Sequence, residues 1–212
     1  MSNEKVDLNK IIRDSRDTLL NPKSYFSALP LKGGFAEPVI KVAIYGFVAG
    51  LFAFLWSILG LSAMGGTGIM GGAVGIMALV WAIVASIVGL FVGAVIMLVI
   101  SAICGGNTDF EANLRVTASL MVIYPIQALL SFFYGINLTL GGLVWVIVAL
   151  YAIYLLYLAI TLALKGKESA AKIVALVLVV LMVIGFFAGR KANKVARDYS
   201  DELEQFRLEQ LD

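Results

Sequence analysis

Two long stretches without a charged residue dominate the hydrophobic pattern of the chain. One runs between Lys41 and Asp109, and the other runs between Arg115 and Lys165. Each is more than twice as long as the roughly 20 apolar residues that a helix needs to cross a bilayer. A third apolar stretch follows and ends near Gly189. The pattern therefore predicts an all-α helical bundle that crosses a membrane several times.

Proline, glycine and charged residues divide these stretches into five predicted spans. We expect them at Pro38–Leu61, within Ala73–Ile103, at about Leu114–Tyr134 with Pro125 interrupting it, at Leu138–Leu164 and at Ala170–Gly189. The second span is longer than a perpendicular crossing requires, so it is expected to tilt or to end among the headgroups. The glycine-dense connector before it, Gly65–Gly72, leaves open whether the chain re-enters the membrane there. The predicted regions are an N-terminal segment (1–37), a membrane domain (38–189) and a charged tail (190–212).

Amphipathic helices are predicted at both ends. Residues Val6–Leu20 alternate apolar and charged groups with a helical period, and Asn21-Pro22 stops that helix because proline lacks an amide donor. Two placements fit this helix: in the membrane interface, or packed against the protein's own loops. In the tail, an apolar stripe indicates a partner helix, a second copy of the chain or packing on headgroups; it comprises Val195, Tyr199, Leu203 and Phe206.

The placement of the basic residues predicts the orientation. With the N-terminus inside, eleven of the 16 basic residues fall on the cytoplasmic side, which agrees with the positive-inside rule. The basic residues directly after the fifth span do not fit this rule. We expect a multi-pass protein of the cell inner membrane with a cytoplasmic N-terminus.

Composition argues against an enzyme. The chain is 61% hydrophobic and 14% charged, has no histidine and has one cysteine. The usual general base and the usual metal ligands are therefore absent, and no phosphate-binding glycine motif stands in the right context. We expect no catalytic residue, no metal, no cofactor and no nucleic-acid partner.

The charges between the second and third spans mark a cytoplasmic turn. Asn107, Thr108 or Asp109 is expected to cap the next helix by accepting its free amide protons. Arg115 is expected to reach lipid phosphates by snorkelling, or instead to pair with Glu111 if the helix starts early. Two bases of the next charged loop, Lys165 and Lys167, are further candidates for headgroup contacts.

Polar side chains form a stripe on each of spans three and four. The stripes comprise Thr117, Tyr124, Gln127, Ser131 and Tyr134 on one helix, and Tyr151, Tyr154, Tyr157 and Thr161 on the other. We expect the two stripes to face each other. They would then form a pocket for a lipid headgroup or small solute, or else hydrogen bonds between the two helices worth about 0.6 kcal/mol each. Pro125 leaves the carbonyl of Met121 without its usual donor, and Gln127 or a water is expected to supply one.

Three glycine pairs with the G-x-x-x-G spacing lie in predicted spans. They are Gly46 and Gly50, Gly89 and Gly93, and Gly185 and Gly189. Such pairs let two helix backbones approach closely. Packing within the chain and homodimerisation both fit.

Three stretches resemble a known family. "NPKSYFSALPLKGGFAEPVIKVAIYG" from residue 21, "GGNTDFEANLRVTASLMVIYPIQALL" from residue 105 and "LVWVIVALYAIYLLYLAITLALKGKESAAKIVAL" from residue 143 resemble prokaryotic members of the Yip1 family in order and spacing. The resemblance implies a five-span helical domain with a cytoplasmic N-terminus. Eukaryotic members are implicated in vesicle traffic and in binding prenylated Rab GTPases. The chain lacks their "DLYGP"-like motif, so we do not carry Rab binding over.

These features favour a non-catalytic membrane scaffold or adaptor of Yip1 type. It is expected to organise membrane lipids, or to hold another membrane protein or a second copy of itself, through its polar-aromatic faces and terminal helices. The alternative is a passive permease or lipid-handling protein that works through the face between spans three and four.

Overall fold

The computed structural model describes the backbone of residues 8–61 and 68–209, and the side chains of residues 8–61, 77 and 79–189. All regular elements in these ranges are helical, which confirms the all-α prediction. The helices are α1 (Leu8–Leu20), α2 (Pro22–Ala28), α3 (Ala36–Ile58), α4 (Gly68–Ile103), α5 (Phe110–Leu120), α6 (Ile123–Leu130), α7 (Phe133–Ile136), α8 (Leu138–Leu158), which continues as a π-helical turn (Ala159–Ala163), and α9 (Glu168–Glu209).

Among the described residues, five segments are long and apolar enough to cross a membrane, as the sequence predicts. They are Ala36–Ile58, Leu79–Ile103, Phe110–Ile136, Leu138–Ala163 and Glu168–Gly189. The third span begins at Phe110 rather than near Leu114. Asp109 starts this helix early because its carboxylate accepts a hydrogen bond from the amide of Ala112.

The glycine-dense segment before the second span is partly helical. α4 begins at Gly68, so residues 68–72 continue the helix rather than forming a connector. A helix pairs its backbone groups internally, which is required inside a membrane and outweighs the low helix propensity of glycine there. Residues 62–67 lie outside the described residues, so re-entry of this segment into the membrane stays untested.

The third span is broken into α5, α6 and α7. One break lies at Met121 and Val122, just before Pro125. The amide of Tyr124 donates to the carbonyl of Met121 at 3.0 Å, so the tighter turn supplies a donor for it. A further donor from Gln127 or a water stays a prediction.

The N-terminal helices pack on the bundle. α1 ends at Leu20, as predicted from the Asn21-Pro22 pair, and a further short helix, α2, begins at Pro22. The hydroxyls of Ser15 and Tyr45 are 2.7 Å apart, and the Tyr151 hydroxyl donates to the carbonyl of Leu19. The helix is thus packed against other helices of the protein, and its placement in the membrane interface stays a prediction.

Two loops meet at the end of the bundle where α3 and α5 begin. The amide of Lys167 donates to the carbonyl of Cys104 at 2.8 Å, and the amide of Asn107 donates to the carbonyl of Leu164 at 2.7 Å. The loop between α4 and α5 therefore lies beside the loop that precedes α9. Two spans, the third and the fourth, lie between these loops, so the five-span arrangement places both loops on the same side of the membrane. Their contact agrees with this arrangement.

The chain divides into two compact units, Met1–Ala175 and Leu176–Asp212. The first holds a core to which α2, α4, α5 and α8 contribute the fully buried Phe26, Leu90, Leu114 and Leu155. The second consists of the remainder of α9, which is one unbroken helix to Glu209. The apolar stripe predicted for the tail is formed by side chains after residue 189. These side chains lie outside the described residues.

Candidate functional site

A polar cavity of about 490 Å³ lies in the first unit, between the N-terminal helices and the beginnings of α3 and α5. We call it the N-terminal cavity. It is lined by Lys10, Asp14, Asp17 and Asn21 at α1, by Ser24, Tyr25, Ala28, Leu29 and Pro30 at α2, by Glu37, Pro38 and Lys41 on α3, and by Arg115, Ala118 and Ser119 on α5.

α1 forms one wall of the cavity with a single face. Its lining residues, Lys10, Asp14, Asp17 and Asn21, are spaced by four, three and four positions, which places them on one side of a helix. The break at Asn21 then turns the chain into α2, which supplies the adjoining wall. The local sequence therefore presents two acidic groups to the cavity.

Lys41 lies deep in the opposite wall. Its side chain is 5% exposed and sits in the second turn of α3, inside the first span. The ammonium donates to the hydroxyl of Tyr25 at 3.0 Å and to that of Ser119 at 3.5 Å, and these two oxygens are 2.8 Å apart. Among the described residues, no carboxylate forms an ion pair with Lys41.

Arg115 and Glu37 form the centre of an ion-pair network at the rim of the cavity. Arg115 Nη1 donates to Glu37 at 3.1 Å, Nη2 donates to the carbonyl of Gly34 at 3.2 Å, and Lys10 also pairs with Glu37. Arg115 Nε is 3.5 Å from Glu111, an ion-pair distance without a hydrogen bond.

This arrangement differs from the expected lipid anchor at Arg115. Because the third span starts at Phe110, Arg115 lies in the second turn of α5 and its side chain is only 6% exposed. The guanidinium is therefore enclosed by protein groups, and the pairing with Glu111 that an early helix start allows is present.

Two acidic residues at the start of α5, Asp109 and Glu111, hold the segment between α2 and α3. Lys32 pairs with Asp109 at 2.7 Å, and the Glu111 carboxylate accepts from the amides of Gly33 and Gly34, each at 2.6 Å. The Lys32 ammonium lowers the pKa of Asp109, and the same hydrogen bond raises the pKa of Lys32. Both glycines have positive φ, 137° and 86°, a backbone region that favours glycine.

The polar residues predicted on spans three and four do not line the N-terminal cavity. The hydroxyls of Thr117 and Ser131 donate to backbone carbonyls of their own helix, Tyr151 bonds to α1, and Tyr157 donates to Glu168. Tyr154 is exposed, and three further members of the predicted site are half-buried: Tyr124, Pro125 and Gln127. A binding site or path between these spans stays a prediction.

The predicted packing glycines fall into three groups. A Cβ at Gly46 or Gly50 would come within 2.8 Å of the α4 backbone, and one at Gly93 would lie 2.9 Å from Thr117. A Cβ at Gly89 would meet Met121 only at 3.9 Å. Within the described residues, nothing lies within 4 Å of such an atom at either glycine of the last pair, Gly185 and Gly189.

The remaining headgroup candidates, Lys165 and Lys167, are exposed at the loop before α9. The aliphatic part of Lys167 passes Gly105, where an added Cβ would lie 3.6 Å from it. Contact of either base with lipid stays a prediction.

Sequence reasoning missed the residues that carry the charge of the cavity. In the sequence, Lys41 only marks the start of an uncharged stretch, and Asp14 and Asp17 are only two of the charged residues of the N-terminal amphipathic helix. One signal was present: Lys41 is the last charge before a long uncharged stretch and lies one helical turn after Glu37. The partners Tyr25 and Ser119 are far away in sequence, so no local pattern identifies them.

The lining of the cavity combines charged and polar groups with apolar surface. It offers ammonium, guanidinium, hydroxyl and carboxylate groups next to apolar Leu29, Pro30 and Pro38. In the described part of the chain, no three His, Cys, Asp or Glu side chains are grouped closely enough to hold a metal ion.

The helices and this cavity define a polytopic helical membrane protein with a polar recess at one end of its first unit. Residues 16–189 match the Yip1 domain, and the chain belongs to the Yip1 domain family. No curated protein matches the chain. No solved structure matches it either.

Proposed function

We propose that this protein is a non-catalytic scaffold of the cell inner membrane, with its N-terminus in the cytoplasm, that organises lipids by holding a phospholipid headgroup in the N-terminal cavity. The observation that carries this proposal is the buried Lys41, which faces the cavity and forms no ion pair among the described residues.

The depth of the cavity supports a lipid ligand. Lys41 lies five residues after the start of α3, roughly 7 Å along the helix axis at 1.5 Å per residue. This places its ammonium near the boundary between headgroups and hydrocarbon when α3 spans the bilayer. The apolar lining at Leu29, Pro30 and Pro38 suits the glycerol and upper acyl region of the same molecule.

The charge of Lys41 supports a phosphate as the group that is held. A buried ammonium is costly unless an anion compensates it, and intramembrane ionisable groups generally have a partner. Tyr25 and Ser119 accept two of its three N–H groups, and the described residues supply no acceptor for the third. A phosphate oxygen would supply both the negative charge and that acceptor.

Native mass spectrometry of the protein purified with its lipids tests the proposal. Lys41→Met removes the charge at similar length, and Lys23→Met is the matched control, because Lys23 is exposed on α2 and does not line the cavity. A hydrogen bond to a charged group contributes about 1.5–3 kcal/mol, so Lys41→Met should weaken phospholipid retention by about tenfold or more.

Thermal unfolding in lipid-free detergent separates lost binding from lost folding. Removing an uncompensated buried charge should leave the stability unchanged or raise it. Equal phospholipid retention by the Lys41→Met and Lys23→Met variants would contradict the proposal, and so would a wild-type protein that retains no phospholipid.

A further inference from the structure

Resting on the lipid-binding function proposed above, we infer that the N-terminal cavity selects a zwitterionic aminophospholipid, of the phosphatidylethanolamine class, whose phosphate lies at Lys41 and whose primary ammonium lies at Asp14 and Asp17.

The charged groups that line the cavity fall into two sets. Lys10, Glu37 and Arg115 are bound to one another in the network at the rim. Lys41, Asp14 and Asp17 form no ion pair among the described residues. Among the described residues, one cation and two anions of the lining are therefore outside ion-pair distance of an opposite charge, although Asp14 and Lys41 interact electrostatically at longer range.

These three charges lie on different walls. Lys41 belongs to α3, beside Ser119 of α5, whereas Asp14 and Asp17 lie three positions apart on the cavity face of α1. Both carboxylates are half-buried, so water screens them less than it screens surface groups. A ligand that fits this arrangement carries a negative group and a positive group at its two ends.

Three contacts hold α1, the wall that carries the acids, against the rest of the first unit. α1 is fixed by the hydrogen bond between Ser15 and Tyr45, by the bond from Tyr151 to the carbonyl of Leu19, and by the ion pair between Lys10 and Glu37. These three contacts lie along the length of α1 and keep a cavity of about 490 Å³ between it and the bundle.

Other phospholipid headgroups match this charge pattern less well. Phosphatidylglycerol supplies the phosphate for Lys41 but no cation, so it leaves Asp14 and Asp17 without a positive partner. Phosphatidylcholine supplies a cation that has no N–H to donate to a carboxylate. The tyrosine that would bind its quaternary ammonium is already occupied, because Lys41 Nζ lies 5.4 Å from the centroid of the Tyr25 ring.

Lipid exchange into the delipidated full-length protein tests the inference. Phosphatidylethanolamine, phosphatidylglycerol and phosphatidylcholine with identical acyl chains are offered in equal amounts in mixed micelles, and native mass spectrometry counts the lipid retained. We expect a preference of about fivefold or more for phosphatidylethanolamine, since its ammonium adds charge-assisted hydrogen bonds to the acids.

The double variant Asp14→Asn/Asp17→Asn should reverse this preference. It keeps the shape of both side chains but removes the partner of the amine and the repulsion of an anionic lipid, so phosphatidylglycerol should then be retained at least as well. Asp14→Asn alone should give an intermediate preference. Glu168→Gln is the control, because it removes a negative charge at an exposed position outside the cavity and should leave the preference unaltered.

The outcomes of these experiments test this inference and the proposed function separately. Retention of all three lipids to the same extent, or an unchanged preference in the double variant, overturns the aminophospholipid inference and leaves lipid binding standing. Retention of none overturns both. Soluble O-phosphoethanolamine is the last arm: binding as tight as that of the diacyl lipid would overturn the lipid as the source of the headgroup.

Discussion

The crossing of α3 and α4 gives the sharpest test of the packing. At Gly46, an added Cβ would lie 2.8 Å from the carbonyl oxygen of Ala82 and 2.9 Å from the Cβ of Ser86. The first of these atoms belongs to the α4 backbone, so it cannot rotate away as a side-chain tip can. Gly46→Ala therefore requires the two helices to move apart.

The magnitude follows from two opposing effects. Forcing an extra carbon into a well-packed contact costs about 1–3 kcal/mol. Alanine is better than glycine inside a helix by roughly 0.5–1 kcal/mol, which offsets part of this cost. We expect a net loss of about 1–2 kcal/mol for Gly46→Ala. Gly89→Ala is the matched control, because its Cβ would meet Met121 only at 3.9 Å and should gain the helix propensity without a clash.

Equilibrium unfolding in mixed detergent micelles with increasing dodecyl sulfate measures these changes. Trp56 of α3 is a suitable reporter, because its indole donates to the carbonyl of Ala128 and packs against Phe132 with ring centroids 5.2 Å apart. Adding Ser86→Gly to Gly46→Ala should restore part of the loss, since it removes the side-chain part of the clash. A Gly46→Ala protein as stable as Gly89→Ala would refute the close approach.

Two further predictions concern the end of the bundle that holds the charged loops. Topology reporters at Asn107 and Lys167 should both report the side of the N-terminus, since the two loops are hydrogen-bonded to each other; opposite signals would contradict the five-span arrangement. Asp109→Asn should lower the unfolding midpoint near neutral pH, because it keeps a capping oxygen but loses the ion pair with Lys32. The pKa of Asp109 is lowered in the folded protein, so its contribution is present above the usual carboxyl value of about 3.9 and is lost as the pH falls further. A midpoint difference that persists unchanged at pH 2–3 would argue against the ion pair as its cause.

The sequence by itself determined the number of spans and several of their ends. Long apolar stretches specify crossing helices because hydrocarbon offers no partner for unpaired backbone groups, and this requirement depends on local composition only. The stop at Asn21-Pro22 and the cap among residues 107–109 are local in the same sense, since they follow from the donors and acceptors of neighbouring residues. The three-part division at residues 37 and 189 and the orientation in the membrane remain predictions.

Only the tertiary structure decided the surroundings of the charged side chains. From the sequence alone, Lys41 is compatible with a snorkelling base and with a buried one. In the structure it is buried, because Tyr25 of α2 and Ser119 of α5 pack against it and accept its hydrogen bonds. Arg115 fits a lipid anchor until Glu37 and Gly34 enclose it. The physical reason is that the environment of a charge is set by groups distant in the chain, whereas helix formation in a membrane is set by neighbours within a few turns.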